Sequence, residues 1–215
     1  LVLEPALGPA GLIKTARKGI GNFEVFLRGK ASHAGLDPEA GASAILELSH
    51  VIQQVDLLNE PNKGTTLNVG IVKGGTRPNV VAAEATALVD VRVTSRDDGR
   101  RIEERMSAIE PVNQDVVIEV SGEIRVPPLE RTPRNVTLWE EARKRGGELG
   151  LALDQGLAGG GSDGNTTSLY TATLDGLGCV GDGAHADHEH VELAPTLDRC
   201  ALLARLLMAP ALSTT

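Results

Sequence analysis

The chain has 215 residues, with 21 lysines and arginines against 29 aspartates and glutamates, so its formal net charge at pH 7 is −8. This acidic balance argues against a nucleic-acid-binding surface, which needs clustered basic residues. Hydrophobic residues make up 41% of the chain, which is enough for a packed core. No apolar run approaches the roughly 18–20 residues of a membrane span. Two cysteines are too few for a disulfide framework, so we expect a cytoplasmic protein.

The first part of the chain predicts two strands and a helix. Residues 1–4 are mostly apolar and predict a short buried strand, which Pro5 ends because proline has no N–H to donate. Residues 21–30 alternate between apolar and polar side chains, as in a half-buried strand. A helix is then predicted from Pro38 to about Leu58, with Asp37 as its N-cap.

The pattern up to Pro128 completes a small mixed domain. Strands are predicted over 65–72, 80–94 and 116–120, and a second helix over 102–109. The order strand, helix, strand, strand, helix, strand is the ferredoxin-like βαββαβ arrangement. We therefore expect an α/β fold in which a ferredoxin-like domain, residues 15–128, is inserted into a second domain built from residues 1–14 and 129–215.

The second domain is predicted to contain a helix over 134–149, a glycine-rich turn over 156–164, a short strand near 177–180 and a final helix over 195–208. Between the last strand and helix, residues 181–190 carry three histidines and three acidic residues. Imidazole and carboxylate are ligands of Zn²⁺, so the loop predicts a metal site, although a solvated polar loop gives the same composition. Glu4, at the end of the first predicted strand, is a second possible ligand, because ligands gather at the carboxyl ends of strands in open α/β sheets.

Three further positions suggest chemistry. The stretch from Gly160 to Gly164 matches the Gly-x-Ser-x-Gly nucleophile elbow, with Ser162 at its centre and His185 later in the chain. A turn that presents backbone N–H groups to a substrate explains the same stretch. His33 lies in a loop, where a histidine can donate to an oxyanion. Arg92 suits a carboxylate, although a strand-face ion pair is the simpler interpretation.

These pieces, in this order, resemble the co-catalytic dizinc metallopeptidases and deacylases that include bacterial glutamate carboxypeptidase, aminoacylase and succinyl-diaminopimelate desuccinylase. The resemblance covers almost the whole chain and is strongest to glutamate carboxypeptidase. The matching segments are Leu3-Glu4-Pro5, Arg28 to Gly35, Gly74 to Val81, Asp90-Val91-Arg92, Gly159 to Gly164, and Gly183-Ala184-His185 with Glu189 four residues on.

The resemblance implies an α/β catalytic domain that holds two zinc ions, with cobalt or manganese as possible substitutes, interrupted by a ferredoxin-like lid that forms a homodimer. The reaction it implies is hydrolysis of an amide bond next to a free carboxylate, in a small peptide or an N-acyl amino acid. Glu4 and His185 match zinc ligands, and His33 matches the lid histidine that stabilises the oxyanion in a partner subunit's site. The substrate-binding residues that it implies are Asn79, Arg92, Gly160 and Ser162.

The chain departs from the family pattern in one large respect. The remaining ligands and the general base lie in an upstream His-x-Asp element, a bridging Asp and a Glu-Glu pair, and this sequence contains none of these in the expected order. We therefore expect the C-terminal part of such an enzyme, catalytically inactive on its own. Two alternatives stay open: a serine hydrolase that uses Ser162 and His185, and a non-catalytic dimerisation or binding module that kept the fold.

Overall fold

A computed structural model describes residues 1–210 of the chain. The backbone divides into two compact units, one formed by Gly19–Pro127 and the other by Leu1–Lys18 together with the residues from Pro128 onward. The elements in chain order are β1 (Ile13–Arg17), β2 (Gly19–Arg28), α1 (Ala44–Asp56), β3 (Thr66–Gly74), β4 (Glu84–Val93), α2 (Arg96–Ser107), β5 (Val117–Val126), α3 (Pro133–Glu148), β6 (Gln155–Ala158), α4 (Asp163–Thr167), β7 (Gly181–Asp182), β8 (His190–Val191) and α5 (Leu193–Leu207).

The Gly19–Pro127 unit is an antiparallel sheet with strand order β3-β4-β2-β5. This order confirms the predicted ferredoxin-like topology. Side chains alternate across β2, so Phe23, Val25 and Leu27 are buried while Asn22 and Glu24 are exposed on the opposite face. The buried side chains of α1 and α2 join the same core, so both helices cover one face of the sheet and leave the other open.

The second unit contains a short parallel pair, β1 with β6, and the helices α3 and α5. Its core is largely aliphatic and has Trp139 on α3 as its one large ring; Ile13, Leu174 and Leu202 are fully buried beside it. No helix within residues 1–210 is long and apolar enough to cross a bilayer.

The first helix of the inserted unit begins later than predicted, and Asp37 does not cap it. Residues Pro38–Ala40 form a single 3₁₀ turn, and the side chain of Asp37 makes no capping hydrogen bond. Helix α1 begins at Ala44, where Ser43 Oγ accepts from the N–H of Leu46 at 3.2 Å. The reason is tertiary: Ala42 exchanges two backbone hydrogen bonds with Lys30, each of 2.9 Å, and this pairing holds the preceding residues out of the helix.

The predicted buried strand over residues 1–4 is also wrong. The segment is not part of a sheet, and Leu1 and Leu3 are 44% and 58% exposed. It does form backbone hydrogen bonds with residues 174–178. Val2 N–H donates to the carbonyl of Leu174, and Gly178 N–H donates to the carbonyl of Glu4, both at 2.9 Å. Within that segment, Gly176 has a left-handed conformation, with φ +71°, which is not the conformation of a strand. The predicted strand near residues 177–180 does not form either.

Candidate functional site

The predicted site residues fall in both units. Those in the Gly19–Pro127 unit are His33, Asn79 and Arg92. Those in the other unit are Glu4, Gly160, Ser162 and His185.

Glu4 ends the extended N-terminal segment with its side chain exposed to solvent. Its carbonyl accepts the N–H of Gly178, which fixes its backbone. Its carboxylate acts on Lys14, although burial and the charge of Arg17 outweigh this attraction and lower the pKa of Lys14. Glu4 therefore presents an accessible carboxylate whose charge acts on the buried Lys14.

His185 lies in the exposed loop between β7 and β8. It is the one non-glycine residue with positive φ, +67°, among residues 1–210. That conformation is uncommon for a residue with a side chain and persists where surrounding contacts impose it. Here Gly183 O accepts from Ala186 N–H at 2.8 Å, and Glu189 accepts from the N–H of His185 at 3.4 Å. These two hydrogen bonds therefore help to hold the backbone at His185 in this conformation.

The described residues do not form a metal centre by themselves. Among residues 1–210, no group of three or more His, Cys, Asp or Glu side chains is arranged to hold a metal ion. A catalytic zinc takes three protein ligands, and Glu4 and His185 supply two donors for two predicted ions. His188 and His190 are exposed, and the Nδ1 atom of His190 lies 3.1 Å from the carbonyl of His188. These two histidines do not complete the predicted set.

The glycine-rich stretch forms a turn between β6 and α4, and Ser162 is the N-cap of α4. Its Oγ accepts from the N–H of Gly164 at 3.0 Å and donates its proton to the carboxylate of Asp175. Gly160 is held by Arg17, whose Nη1 donates to its carbonyl at 2.9 Å. The turn is thus fixed by side chains from β1 and from the loop after α4.

This geometry argues against Ser162 as a nucleophile. The backbone at Ser162 is extended, with φ −156°, without the strain of a nucleophile elbow. Its hydroxyl bonds to a carboxylate and a backbone N–H, whereas a serine nucleophile needs a base such as histidine. The local sequence match therefore reflects a helix cap.

His33 is exposed and has a defined ring orientation. Its Nδ1 accepts two backbone hydrogen bonds, from the N–H groups of Gly35 and Leu36, each at 3.1 Å. An accepting Nδ1 carries no proton, so the neutral ring is protonated at Nε2. His33 therefore offers an N–H donor to solvent, as stabilisation of an oxyanion requires.

Asn79 lies beside His33 within the same unit. The carbonyl of Asn79 accepts from Ala34 N–H at 3.0 Å, and His33 forms a backbone bridge with the next residue, Val80. The bonds between these two loops bring the predicted oxyanion donor and one predicted substrate-binding residue to the same end of the sheet.

Arg92 is separated from that pair. It lies near the end of β4, opposite Ile20 at the start of β2, whereas the loop of Asn79 precedes the other end of β4. The eight residue steps from Glu84 to Arg92 span about 27 Å at the usual rise of a strand. Arg92 and Asn79 therefore lie at opposite ends of the sheet.

The guanidinium of Arg92 is bound on one side by Asp90. Its Nε and Nη2 donate to the two carboxylate oxygens of Asp90 at 2.8 and 3.1 Å. This fork-like pair is the strand-face interpretation made from the sequence. It uses two of the five N–H donors of the side chain, so the remaining edge can still take a carboxylate.

Sequence reasoning missed the polar side chains beneath the glycine turn, Arg17, Asn165 and Asp175, which are at most 3% exposed. A short strand with lysine, threonine and arginine gives no alternating pattern, and Asp175-Gly176 reads as an ordinary turn. The signal that could have identified them is the position of Arg17 next to the start of the inserted domain.

Comparisons with known proteins show what this chain resembles. A family profile described as a peptidase dimerisation domain, M20_dimer, matches residues 15–110. Carboxypeptidase G2 from Pseudomonas sp. (strain RS-16) is 30% identical over 219 aligned residues, which cover 97% of this chain and 51% of that protein. The uncharacterised protein YqjE of Bacillus subtilis (strain 168) is 26% identical, over 86% of this chain and 50% of its own length. The chain therefore spans about half the length of these relatives.

Two solved structures share the fold at lower identity. The aminopeptidase PepT from Bacillus cereus ATCC 10987 superimposes with a TM-score of 0.83 at 22% identity, covering 95% of this chain and 55% of that one. The Bacillus subtilis YXEP protein, described as a dinuclear metal-binding peptidase from the M20 family, has a TM-score of 0.70 at 16% identity, covering 96% and 55%. These similarities support the M20 peptidases, near glutamate carboxypeptidase, as the family of this chain, and residues 15–110 match a peptidase dimerisation domain.

Proposed function

We propose that this chain forms the lid and the C-terminal part of the catalytic domain of a metal-dependent hydrolase. The bond cleaved is an amide next to a free carboxylate, in a peptide ending in glutamate or in an N-acyl amino acid. The observation that carries the proposal is the similarity to Carboxypeptidase G2 along 97% of the chain. The inserted Gly19–Pro127 unit supports the lid assignment.

The proposed role of His33 is to donate from Nε2 to the oxygen that becomes negatively charged in the transition state. Its exposure and the hydrogen bonds at Nδ1 support this role, because they leave Nε2–H facing solvent. Asn79 lies beside it and is proposed to bind the same substrate.

Arg92 is proposed to hold the free carboxylate of a substrate through the edge of its guanidinium that Asp90 leaves open. A small substrate cannot touch both ends of a strand of about 27 Å. We therefore propose that, in a homodimer, His33 and Asn79 of one lid serve a different active site from Arg92 of the same lid.

The proposed metal is zinc, bound jointly by Glu4, His185 and ligands from outside the described residues. Glu4 and His185 are both exposed, and neither has enough acidic or imidazole neighbours among the described residues to bind an ion. This supports a site to which other residues contribute the remaining ligands. The proposed compartment is the cytoplasm, which suits two free thiols, Cys179 and Cys200.

The coding region upstream of Leu1 is the first test. The proposal expects a His-x-Asp element, a later Asp and a Glu-Glu pair there. A start codon directly before Leu1 would contradict the catalytic proposal and favour the non-catalytic dimerisation module.

The second test is hydrolysis of N-benzoyl-L-glutamate in the presence of ZnCl₂. The 215-residue chain alone is expected to release no glutamate, whereas the protein that includes the upstream ligands is expected to do so and to lose activity with 1,10-phenanthroline. Zinc-dependent turnover by the chain alone would show that the described residues suffice. Labelling of Ser162 by a fluorophosphonate would instead favour the serine hydrolase.

A further inference from the structure

The turn at residues 159–162 has no packing of its own that would order it. Gly159, Gly160 and Gly161 are exposed, and a Cβ added at either of the first two would meet nothing within 4 Å. Glycine has the largest backbone freedom of any residue, so three in a row in open space favour disorder. Something else has to fix these peptide groups if they are to have one orientation.

A buried ion pair supplies this constraint. Arg17 Nε donates to Asp175 Oδ2 at 2.6 Å, and the two side chains are 4% and 0% exposed. The pair reaches the turn at two points: Arg17 Nη1 binds the carbonyl of Gly160 at 2.9 Å, and Asp175 accepts the hydroxyl proton of Ser162. Arg17, Asp175 and the turn therefore form a closed ring of hydrogen bonds.

Two neighbouring residues, Gly164 and Asn165, support this ring of hydrogen bonds. A Cβ at Gly164 would lie 2.6 Å from Asp175 Oδ2, so only glycine there lets the carboxylate reach Ser162. Asn165, fully buried, accepts the N–H of Ser162 at 2.9 Å and donates to the carbonyl of Lys18 at 3.2 Å. The turn is thus tied to the end of β1 on both sides.

Stability alone explains this arrangement poorly. Desolvating two charges costs several kcal/mol per ion, and apolar replacements of buried pairs are often neutral or stabilising. Arg17 Nη2 is also buried without a hydrogen-bond partner among the described residues, which adds to the cost. What the ring achieves is an exposed glycine turn with one conformation.

We propose that Arg17 and Asp175 are positioning residues for the turn 159–162, whose exposed peptide groups bind the substrate. The identity of the substrate rests on the function proposed above. The ordering of the turn does not, and it can be measured on the chain as it stands.

The test is ¹⁵N relaxation on the full 215-residue chain. Arg17→Lys keeps the positive charge, but a single ammonium cannot reproduce the planar fork that binds Asp175 and Gly160 together. We expect order parameters at residues 159–161 to fall from about 0.85 to below about 0.6, with the rest of the backbone unchanged. Thr15→Val is the matched control, because Thr15 is buried on the same strand and bonds to Gln155 and Arg131 instead of the turn.

A serine pair provides the conservative rescue. Ser162→Ala removes the hydroxyl that bonds to Asp175 and is expected to loosen the turn, whereas Ser162→Thr keeps the hydroxyl and is expected to restore its order. These variants also serve if Arg17→Lys unfolds the unit. An equally rigid turn in Arg17→Lys and Ser162→Ala, or equal loosening in Thr15→Val, would overturn the proposal. Failure to find hydrolysis would leave this measurement unaffected, so the two proposals fail separately.

Discussion

His33 and His190 have opposite hydrogen-bond environments, and this decides which ring nitrogen of each is protonated. Two backbone N–H groups point at Nδ1 of His33, so its proton lies on Nε2. In His190, Nδ1 faces the carbonyl of His188 at 3.1 Å, and a carbonyl only accepts, so Nδ1 carries the proton. Nε2 of His33 is thus a hydrogen-bond donor, whereas Nε2 of His190 carries a lone pair.

Long-range ¹H–¹⁵N correlation spectra above the histidine titration range, at about pH 8–9, test this difference. We expect pyridine-type Nδ1 and protonated Nε2 in His33, and the reverse in His190 as an internal control. A protonated Nδ1 in His33 would contradict the proposed donor role. His33→Asn should keep the amide shifts of Gly35 and Leu36, because its Oδ1 can accept in a similar Asx turn, whereas His33→Ala should lose them.

At the scale of elements, one arginine joins α2 to the loop before β3. Arg101 donates to Asp98 on its own helix at 2.7 Å and to Glu60 at 2.5 Å. Its hydrogen bonds are the largest cause of the lowered pKa values of both carboxyl groups, and the hydroxyl of Ser95 lowers the pKa of Asp98 further. The two acids in turn raise the pKa of Arg101.

Because both carboxyl pKa values are lowered on folding, the stabilisation is present above their ordinary values of 4.5 and 3.8 and is lost as the pH falls through the folded values. We expect Arg101→Met to raise both pKa values and to lower the midpoint of urea unfolding at pH 7, and we expect this loss to shrink as the pH falls below the ordinary carboxyl pKa values. Arg100→Met is the control, since Arg100 pairs with the exposed Asp97. An equal loss in both variants at pH 7, or one independent of pH, would exclude the Arg101 network as its cause.

At the scale of the whole molecule, the two edges of the lid sheet differ. The outer half of β3 exposes Ile71 and Val72, 49% and 51% accessible, and Ile45 and Leu46 of α1 are exposed nearby. The opposite edge strand, β5, carries charged side chains after Val117, namely Glu119, Glu123 and Arg125. Charged edges resist pairing and apolar ones invite it, so the proposed homodimer is expected to form through β3.

Light scattering after gel filtration tests this interface. The wild-type chain is expected at twice its mass of 22.5 kDa. Val72→Lys should raise the dimer dissociation constant by roughly 10–100-fold, because an unpaired ammonium is desolvated at the interface. Val117→Lys, at the β5 edge, should have no effect; the opposite pattern would place the interface on β5, and a monomeric wild type would contradict the dimer.

The sequence by itself determined the order of elements in the inserted unit; it predicted the family resemblance and the candidate site residues. Alternation in β2 and the turn and cap residues are local properties, so they can be read without coordinates. The tertiary structure decided what depends on contacts distant in sequence. Pairing of Lys30 with Ala42 moved the start of α1, and β1 forms against β6, about 140 residues away along the chain. Glu47 is buried on α1 because its carboxylate accepts the N–H groups of Val112 and Asn113. Arg17, Asp175 and Ser162 are likewise brought together only by folding. Each buried polar group needs a hydrogen-bond partner, and these partners are distant in sequence.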